Sequence, residues 1–167
     1  MTGREVLVQQ YDAVYRVIAR NIEGLTHADS LAPTAGGNTA NWILGHLVNV
    51  QNRVMGIIGA PAVWESEQLE RARFDHPIRD AGEAIDWGTL VERFNGSRET
   101  CIAALASQDD ASLAEKMLDA FGNESTRVGV LSGLATHQWY HAGQLGMTRR
   151  AAGKKTAILA PGQAAPL

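Results

Sequence analysis

The sequence predicts an all-α fold, a four-helix bundle with a long crossover between the second and third helices. Three observations support this prediction. Apolar residues recur at steps of three and four along four separate segments, which is the spacing of one helix face. No segment clearly alternates apolar and polar residues as a half-buried strand does. The chain has 167 residues, enough for one sizeable core.

The first two helices are separated by a loop rich in proline and glycine. The first helix is predicted from apolar residues at Leu7, Tyr11, Val14, Ile18, Ile22 and Leu25. The second begins near Asn38 or Thr39, either of which can cap free backbone N–H groups, and stops at Gly59. Its core-facing residues are Ile43, Leu47, Val50, Val54 and Ile57.

A long connection, residues 60–87, precedes the third helix and is expected to form a lid or a binding surface. It contains Pro77 and Gly82, and a short helix is predicted within it at about residues 65–73. The third helix begins near Thr89 and turns four residues inward: Leu90, Phe94, Cys101 and Leu105. Residues 107–125 are polar and predicted to be irregular.

The fourth helix is predicted from about Ser125 to Ala152. Its inward residues are expected to be Val130, Leu134, His137, His141 and Leu145. Glycines at 129, 133, 143 and 146 each cost a helix about 1 kcal/mol relative to alanine, so another helix is expected to approach closely, within the bundle or across a dimer. We place one domain at residues 1–153 and an extended or mobile tail at 154–167.

Composition narrows the classes of function. The net charge is −3 and no block of like charge occurs, so the basic surface that nucleic-acid binding requires is missing. No run approaches the roughly 18 apolar residues of a membrane span. The N-terminus does not resemble a signal peptide, and the single cysteine, Cys101, cannot form an internal disulfide, so we expect a cytoplasmic protein.

Two histidines lie four residues apart in the predicted fourth helix, at His137 and His141. At this spacing both side chains share one helix face, and they interrupt the apolar series, so both are expected to point inward. Neutral imidazoles need partners for two ring nitrogens each, and charged ones repel each other. A metal ion would satisfy both; a surface pair formed by chance is the alternative.

His46 borders the inward face of the second helix, one residue before Leu47. Metal ligands in a helix bundle come from facing helices, and three histidines with an open fourth position are typical of a catalytic site. We therefore predict a divalent-metal site formed by His46, His137 and His141. The alternative for His46 is a core histidine whose hydrogen bonds are satisfied.

Other metal or nucleotide motifs do not fit the chain. Zinc proteases use His-Glu-x-x-His, in which the glutamate is the general base, whereas Gln138 occupies that position here. Gly-x-Ser-x-Gly, P-loop and Gly-x-Gly-x-x-Gly elements are also missing from the sequence.

Two stretches carry a family resemblance: Asn41-Trp-Ile-Leu-Gly-His46-Leu and His137-Gln-Trp-Tyr-His141-Ala-Gly-Gln. With these, the chain resembles the DinB-like (damage-inducible protein) superfamily of metal-binding four-helix bundles over roughly residues 4–152. The resemblance implies a three-histidine site for zinc, with nickel or iron as alternatives, and a homodimer. Relatives include isomerases and S-transferases that use mycothiol, bacillithiol or glutathione.

The leading functional hypothesis is therefore a thiol-dependent S-transferase or isomerase acting on a small molecule. Metal coordination deprotonates a thiol and so takes the place of a general base. One alternative is a non-catalytic stress protein that binds metal or a small ligand. The other is a metal-assisted hydrolase that uses an activated water molecule.

Three polar residues are predicted to contact a cofactor or substrate. Asn49 and Arg53 share the His46 side of the second helix, and Arg53 could bind a carboxylate bidentately. Gln144 could contact a ligand or hydrogen-bond the His141 imidazole. A solvated surface position is the alternative for Arg53 and Gln144.

Overall fold

The computed structural model describes residues 2–34, 37–73, 78 and 81–157. In this part the chain is mainly helical, which confirms the predicted class. The α-helices, in chain order, are α1 (Gly3–Ile22), α2 (His27–Ser30), α3 (Ala40–Ile57), α4 (Trp87–Ala106), α5 (Asp110–Ala114) and α6 (Arg127–Ala151). The four long ones are α1, α3, α4 and α6; α1 and α3 each pack against both α4 and α6.

The long helices begin where a side chain can accept a backbone N–H. Thr39 Oγ1 accepts from Trp42 and starts α3 as predicted. Helix α4 begins two residues before the predicted Thr89, because the Asp86 carboxylate is the cap and accepts the Thr89 N–H at 2.8 Å. Thr126 caps α6 in the same way.

The inward faces predicted for α1 and α4 are confirmed. Tyr11, Val14 and Ile18 on α1 have no exposed surface, and neither do Leu90, Phe94 and Cys101 on α4. The inward face predicted for α3 was too narrow, since further residues around the helix are also buried: Ala40, Trp42, Leu44, Val48 and Met55.

The prediction that the chain contains no strand was wrong at one place. Strands β1 (Lys116–Leu118) and β2 (Glu124–Thr126) form an antiparallel hairpin within the region expected to be irregular. The Asp119 carboxylate accepts the N–H groups of Phe121 and Asn123 in the turn, and Gly122 has a positive φ of 81°. Three-residue strands are too short to show an alternating pattern in the sequence.

The crossover between α3 and α4, residues 58–86, is held against α3 by three residues that we call the asparagine anchors: Asn41, Asn49 and Asn52. Asn41 exchanges two hydrogen bonds with the backbone of Ile85, at 2.7 and 3.0 Å. Asn49 and Asn52 donate to the carbonyls of Leu69 and Trp64, respectively. The short helix predicted in the crossover is present as a 3₁₀ segment, Glu67–Ala72, and a second spans Ala81–Glu83. Pro77 lies outside the described residues.

The inward face of α6 differs from the predicted one. Its buried residues are Val130, Leu131, Ala135, Gln138, His141, Ala142, Leu145 and Thr148. His137 is exposed and Leu134 only half-buried, so the buried face passes through Gln138 instead of His137. The prediction failed because alanine and glutamine carry little signal in an apolar pattern.

The glycines of α6 do not share one cause. Among the described residues nothing lies within 4 Å of a Cβ built on Gly133 or Gly143, so none of the described helices approaches them closely. Gly146 faces the side chain of Asn21, and Gly129 faces Ser125. Close approach across a dimer stays a prediction for the first two.

Residues that follow α6 contact the body of the protein. Lys154 forms an ion pair with Asp29 at 3.1 Å, and Arg149 donates from Nε to the Lys155 carbonyl. Most of the predicted tail, residues 158–167, lies outside the described residues. None of the helices in the described part combines the length and apolarity that crossing a membrane requires.

Candidate metal centre

Three imidazoles meet at the contact between α3 and α6. His46 Nε2 lies 3.0 Å from His137 Nε2, which lies 3.1 Å from His141 Nε2. One nitrogen from each ring falls within 4.8 Å of the other two. The predicted meeting of the three histidines is therefore present, although only His141 is buried; His46 is half-buried and His137 exposed.

Two of the histidines also have a hydrogen-bond partner outside the cluster. His141 Nδ1 lies 2.8 Å from Gln144 Oε1, and Gln144 Nε2 donates to the Tyr140 hydroxyl at 2.9 Å. His46 has a hydrogen bond with the backbone of Ala72 that raises its pKa, so the Ala72 carbonyl is the acceptor. The bond from His141 Nδ1–H leaves the Nε2 lone pair of His141 facing the third ring.

This donor set fits a divalent cation. A proton on His137 Nε2 can be donated to only one neighbour, so the Nε2 lone pair of the other neighbour is left without a hydrogen bond, whereas a cation engages all three rings. Tetrahedral zinc with Zn–N bonds near 2.0–2.1 Å would separate its nitrogens by about 3.3–3.4 Å. The observed separations of 3.0 and 3.1 Å are close to that spacing.

The environment keeps the imidazoles neutral, which is the ligand form. Burial lowers the pKa of His141 to about 4, an effect that outweighs the hydrogen bond donated to Gln144, which raises it. Burial also lowers the pKa of His46, as does the neighbouring His137. The pKa of His137 is lowered by desolvation.

Aromatic rings fix two of the imidazoles. Trp42, one turn before His46, stacks on it with ring centroids 4.9 Å apart and planes 4° from parallel. Because Trp42 is itself buried, it both packs in the core and forms a wall of the site. Tyr140 meets His141 edge-on at 5.1 Å.

A surface cavity of about 360 Å³ opens beside His46 and is lined also by Asn49, Glu70 and Arg73. Glu70 and Arg73 form an exposed ion pair at 2.6 Å. Sequence reasoning missed these two residues. The only available signal was the short helix predicted in the crossover, which did not indicate which residues of α3 it would contact.

The residues predicted to bind a ligand lie in different places. Asn49 borders the cavity, while its side chain also donates to Leu69. Gln144 makes the hydrogen bond with His141 that was one of its two predicted roles. Arg53 is exposed and lines a separate groove with Lys116 and Arg127. Contact of any of the three with a ligand stays a prediction.

Gln138, which takes the place of the zinc-protease base, is fully buried. Its amide accepts a hydrogen bond from Gln51 inside the protein. The position after the first histidine of the pair therefore serves the core and does not face the cation site.

Comparison with known proteins agrees with the geometry. The sequence profile of the DinB superfamily matches residues 10–145, a span that contains all three histidines and the crossover. No curated protein matches the chain.

Proposed function

The chain belongs to the DinB superfamily, and from this premise we propose that it is a metal-dependent thiol S-transferase or isomerase. In this proposal His46, His137 and His141 hold one divalent cation, zinc first, with nickel or iron as alternatives. Metal-binding members occur in the superfamily. The four long helices are proposed to form the four-helix bundle typical of the family.

One observation carries the proposal: three Nε2 atoms converge while His141 Nδ1 is bonded to Gln144 and His46 is hydrogen-bonded to the backbone of Ala72. A cation bound there supplies the positive charge that deprotonates a thiol without a general base. The chain's own residues keep the imidazoles neutral and oriented. They also leave the cavity side of His46 open to a small molecule.

The residues that line the cavity favour a substrate that carries a negatively charged group. Arg73 presents a guanidinium beside His46, and such a group can bind a carboxylate through two parallel hydrogen bonds. Glu70, now paired with Arg73, would be displaced by that carboxylate. Asn49 adds an amide at the same wall, and Arg53 could bind a more distant carboxylate of an extended ligand.

The proposed partners are a small-molecule electrophile, a low-molecular-weight thiol and a second copy of the chain, in the cytoplasm, without nucleic acid or membrane. Two observations support the second copy. Tyr140 and Met147 on the outer face of α6 are 63% and 64% exposed. Gly143 between them leaves room for a neighbouring helix.

The first experiment is elemental analysis of untagged wild-type protein beside a His137→Ala, His141→Ala variant. His27→Ala is the matched control, because His27 contacts the backbone of Trp87. We expect about one metal ion per chain in the wild type and the control, and none in the double variant. Absence of metal from the wild type, even after incubation with zinc, nickel and iron, would refute the proposal.

The second experiment is turnover of a chromogenic aryl halide with mycothiol, bacillithiol or glutathione. The thiol sulfur forms a bond to carbon, halide leaves, and the thiol proton passes to solvent. Activity that needs both thiol and metal supports the transferase. Metal binding without turnover favours the non-catalytic alternative, and ester hydrolysis without thiol favours the hydrolase.

A further inference from the structure

Two glutamines meet inside the contact between α3 and α6. Gln51 on α3 and Gln138 on α6 have no exposed surface. Gln51 Nε2 donates to Gln138 Oε1 at 2.7 Å. The remaining amide atoms, Gln51 Oε1 and Gln138 Nε2, have no hydrogen-bond partner among the described residues. We call these two residues the amide pair.

The amide pair is expected to contribute little to the stability of the core. Each unpartnered buried atom loses its hydrogen bonds to water and gains nothing in return. Replacing both members of a buried polar pair with apolar groups of similar shape is often neutral or stabilising. A single buried polar contact between helices is well known to fix their register instead, at a cost in stability.

The position of the amide pair connects it to the histidines. Gln51 lies five residues after His46 on the same helix, about 7.5 Å along the axis. Gln138 lies between His137 and His141 in the chain. The bond from Gln51 to Gln138 therefore joins the two helices that carry the three imidazoles, and sliding one helix along the other would stretch it.

We infer that Gln51 and Gln138 are positioning residues that set the register of α3 against α6, and so the spacing of the three Nε2 atoms. This inference rests on the proposed metal site. The amide pair touches no cation and acts only through the helices. Its removal should loosen metal binding without weakening the fold.

The test compares wild-type protein with a Gln51→Leu, Gln138→Leu double variant. The zinc dissociation constant is measured by competition with a chromophoric chelator, and the melting temperature is measured on metal-free protein. We expect zinc affinity to fall at least tenfold while the melting temperature stays equal or rises. The absorption bands of bound Co²⁺ should shift or broaden, because coordination geometry changes with register.

The matched control is Tyr15→Phe with Ser97→Ala. These residues form a buried hydrogen bond of 2.8 Å between α1 and α4, which do not carry the histidines. This control should leave zinc affinity and the Co²⁺ spectrum unchanged. A general effect of losing a buried hydrogen bond would instead change both double variants alike, and would overturn the inference.

Unchanged zinc affinity and an unchanged Co²⁺ spectrum in the leucine variant would also overturn it, while leaving the proposed metal site intact. Failure of the wild type to bind zinc, nickel, iron or cobalt would refute the proposed function itself. If the leucine variant does not fold, Gln51→Met with Gln138→Met retains the side-chain length. Failure of both to fold would show that the amide pair serves the fold, against the inference.

Discussion

The contact between α1 and α4 and the contact between α3 and α6 are both buried, but they treat polar groups differently. Between α1 and α4 the Tyr15 hydroxyl is paired with Ser97, and its ring lies 4.9 Å from that of Phe94. Between α3 and α6 the imidazole nitrogens face one another, and two amide atoms have no partner among the described residues. Burial alone does not mark a functional site; imidazole nitrogens that face one another without satisfied hydrogen bonds are better evidence of one.

Desolvation acts on a titratable group in each region, with opposite consequences. Burial raises the pKa of the Cys101 thiol, beside α1, to about 12, so this sulfur stays protonated and unreactive. Burial lowers the pKa of His141 to about 4, so this ring stays neutral and able to bind a cation. The chain's own cysteine is therefore unsuited to the thiol chemistry that we propose, and an external thiol is required.

The largest expected effect is a loss of stability from a substitution in the contact between α1 and α4. Phe94→Ala removes a fully buried ring from the α1/α4 contact and should lower the free energy of unfolding by about 3–5 kcal/mol. Denaturant titration measures this. Phe121, which is 88% exposed in the hairpin turn, is the control, and its replacement by alanine should change stability by less than about 0.5 kcal/mol.

The folded fraction of the Phe94→Ala variant should still bind one metal ion per chain, since α4 contributes no ligand to the centre. A loss of metal from folded variant protein would show that the two regions are not separable.

A smaller effect is expected from Gln144→Ala, which removes the acceptor that orients His141. Loss of such a partner commonly weakens metal binding by about 10- to 100-fold, or about 1.4–2.8 kcal/mol. Chelator competition measures it. Gln9→Ala on the exposed face of α1 is the matched control. Equal affinities of both variants would show that the Gln144 contact does not support the centre.

The smallest expected effect is the dependence of folding stability on pH through His141. The folded-state pKa of His141 is depressed, so the unfolded chain takes up a proton first as the pH falls. The stability that depends on a neutral His141 is present above about pH 6.5 and is lost as the pH falls to about 4. We expect a loss of about 1–2 kcal/mol in metal-free protein, discounted because the adjoining His137 is exposed.

Denaturant midpoints across this pH range test the expectation, with His141→Gln as the comparison variant. The variant should lose less stability than the wild type as the pH falls. Parallel pH profiles would show that His141 titrates in the same range in the folded and unfolded chains.

Local signals explain what could be predicted from the sequence. The inward residues of α1 are large and evenly spaced, so Tyr11 and Ile18 identified a helix face directly. Thr39 gave the start of α3 because a cap contacts only the next few residues. His46 was placed at the core edge from its neighbour Leu47. Each of these inferences depends on contacts within one helix.

Contacts between elements explain what could not be predicted. From the sequence alone, Gln138 is interpreted as a polar surface residue, because its buried partner Gln51 cannot be identified. The predicted buried face of α6 was therefore misplaced by one position. Glu70 and Arg73 line a cavity with His46 in the part of the crossover that Asn49 bonds at Leu69, a contact between distant parts of the chain. Arg53 was predicted to lie on the same side of α3 as His46. It lines a groove with Lys116 of the hairpin, and this contact between distant parts of the chain could not be predicted.

The asparagine anchors have a consequence for how the protein opens. Because Asn41 and Asn52 accept the backbone N–H groups of Ile85 and Val63, these amides should resist hydrogen–deuterium exchange although they lie in a connecting segment. They can exchange only when the crossover detaches from α3. The described parts of the crossover, with the side of the cavity that they carry, would then detach as one cooperative unit from the helix that carries His46.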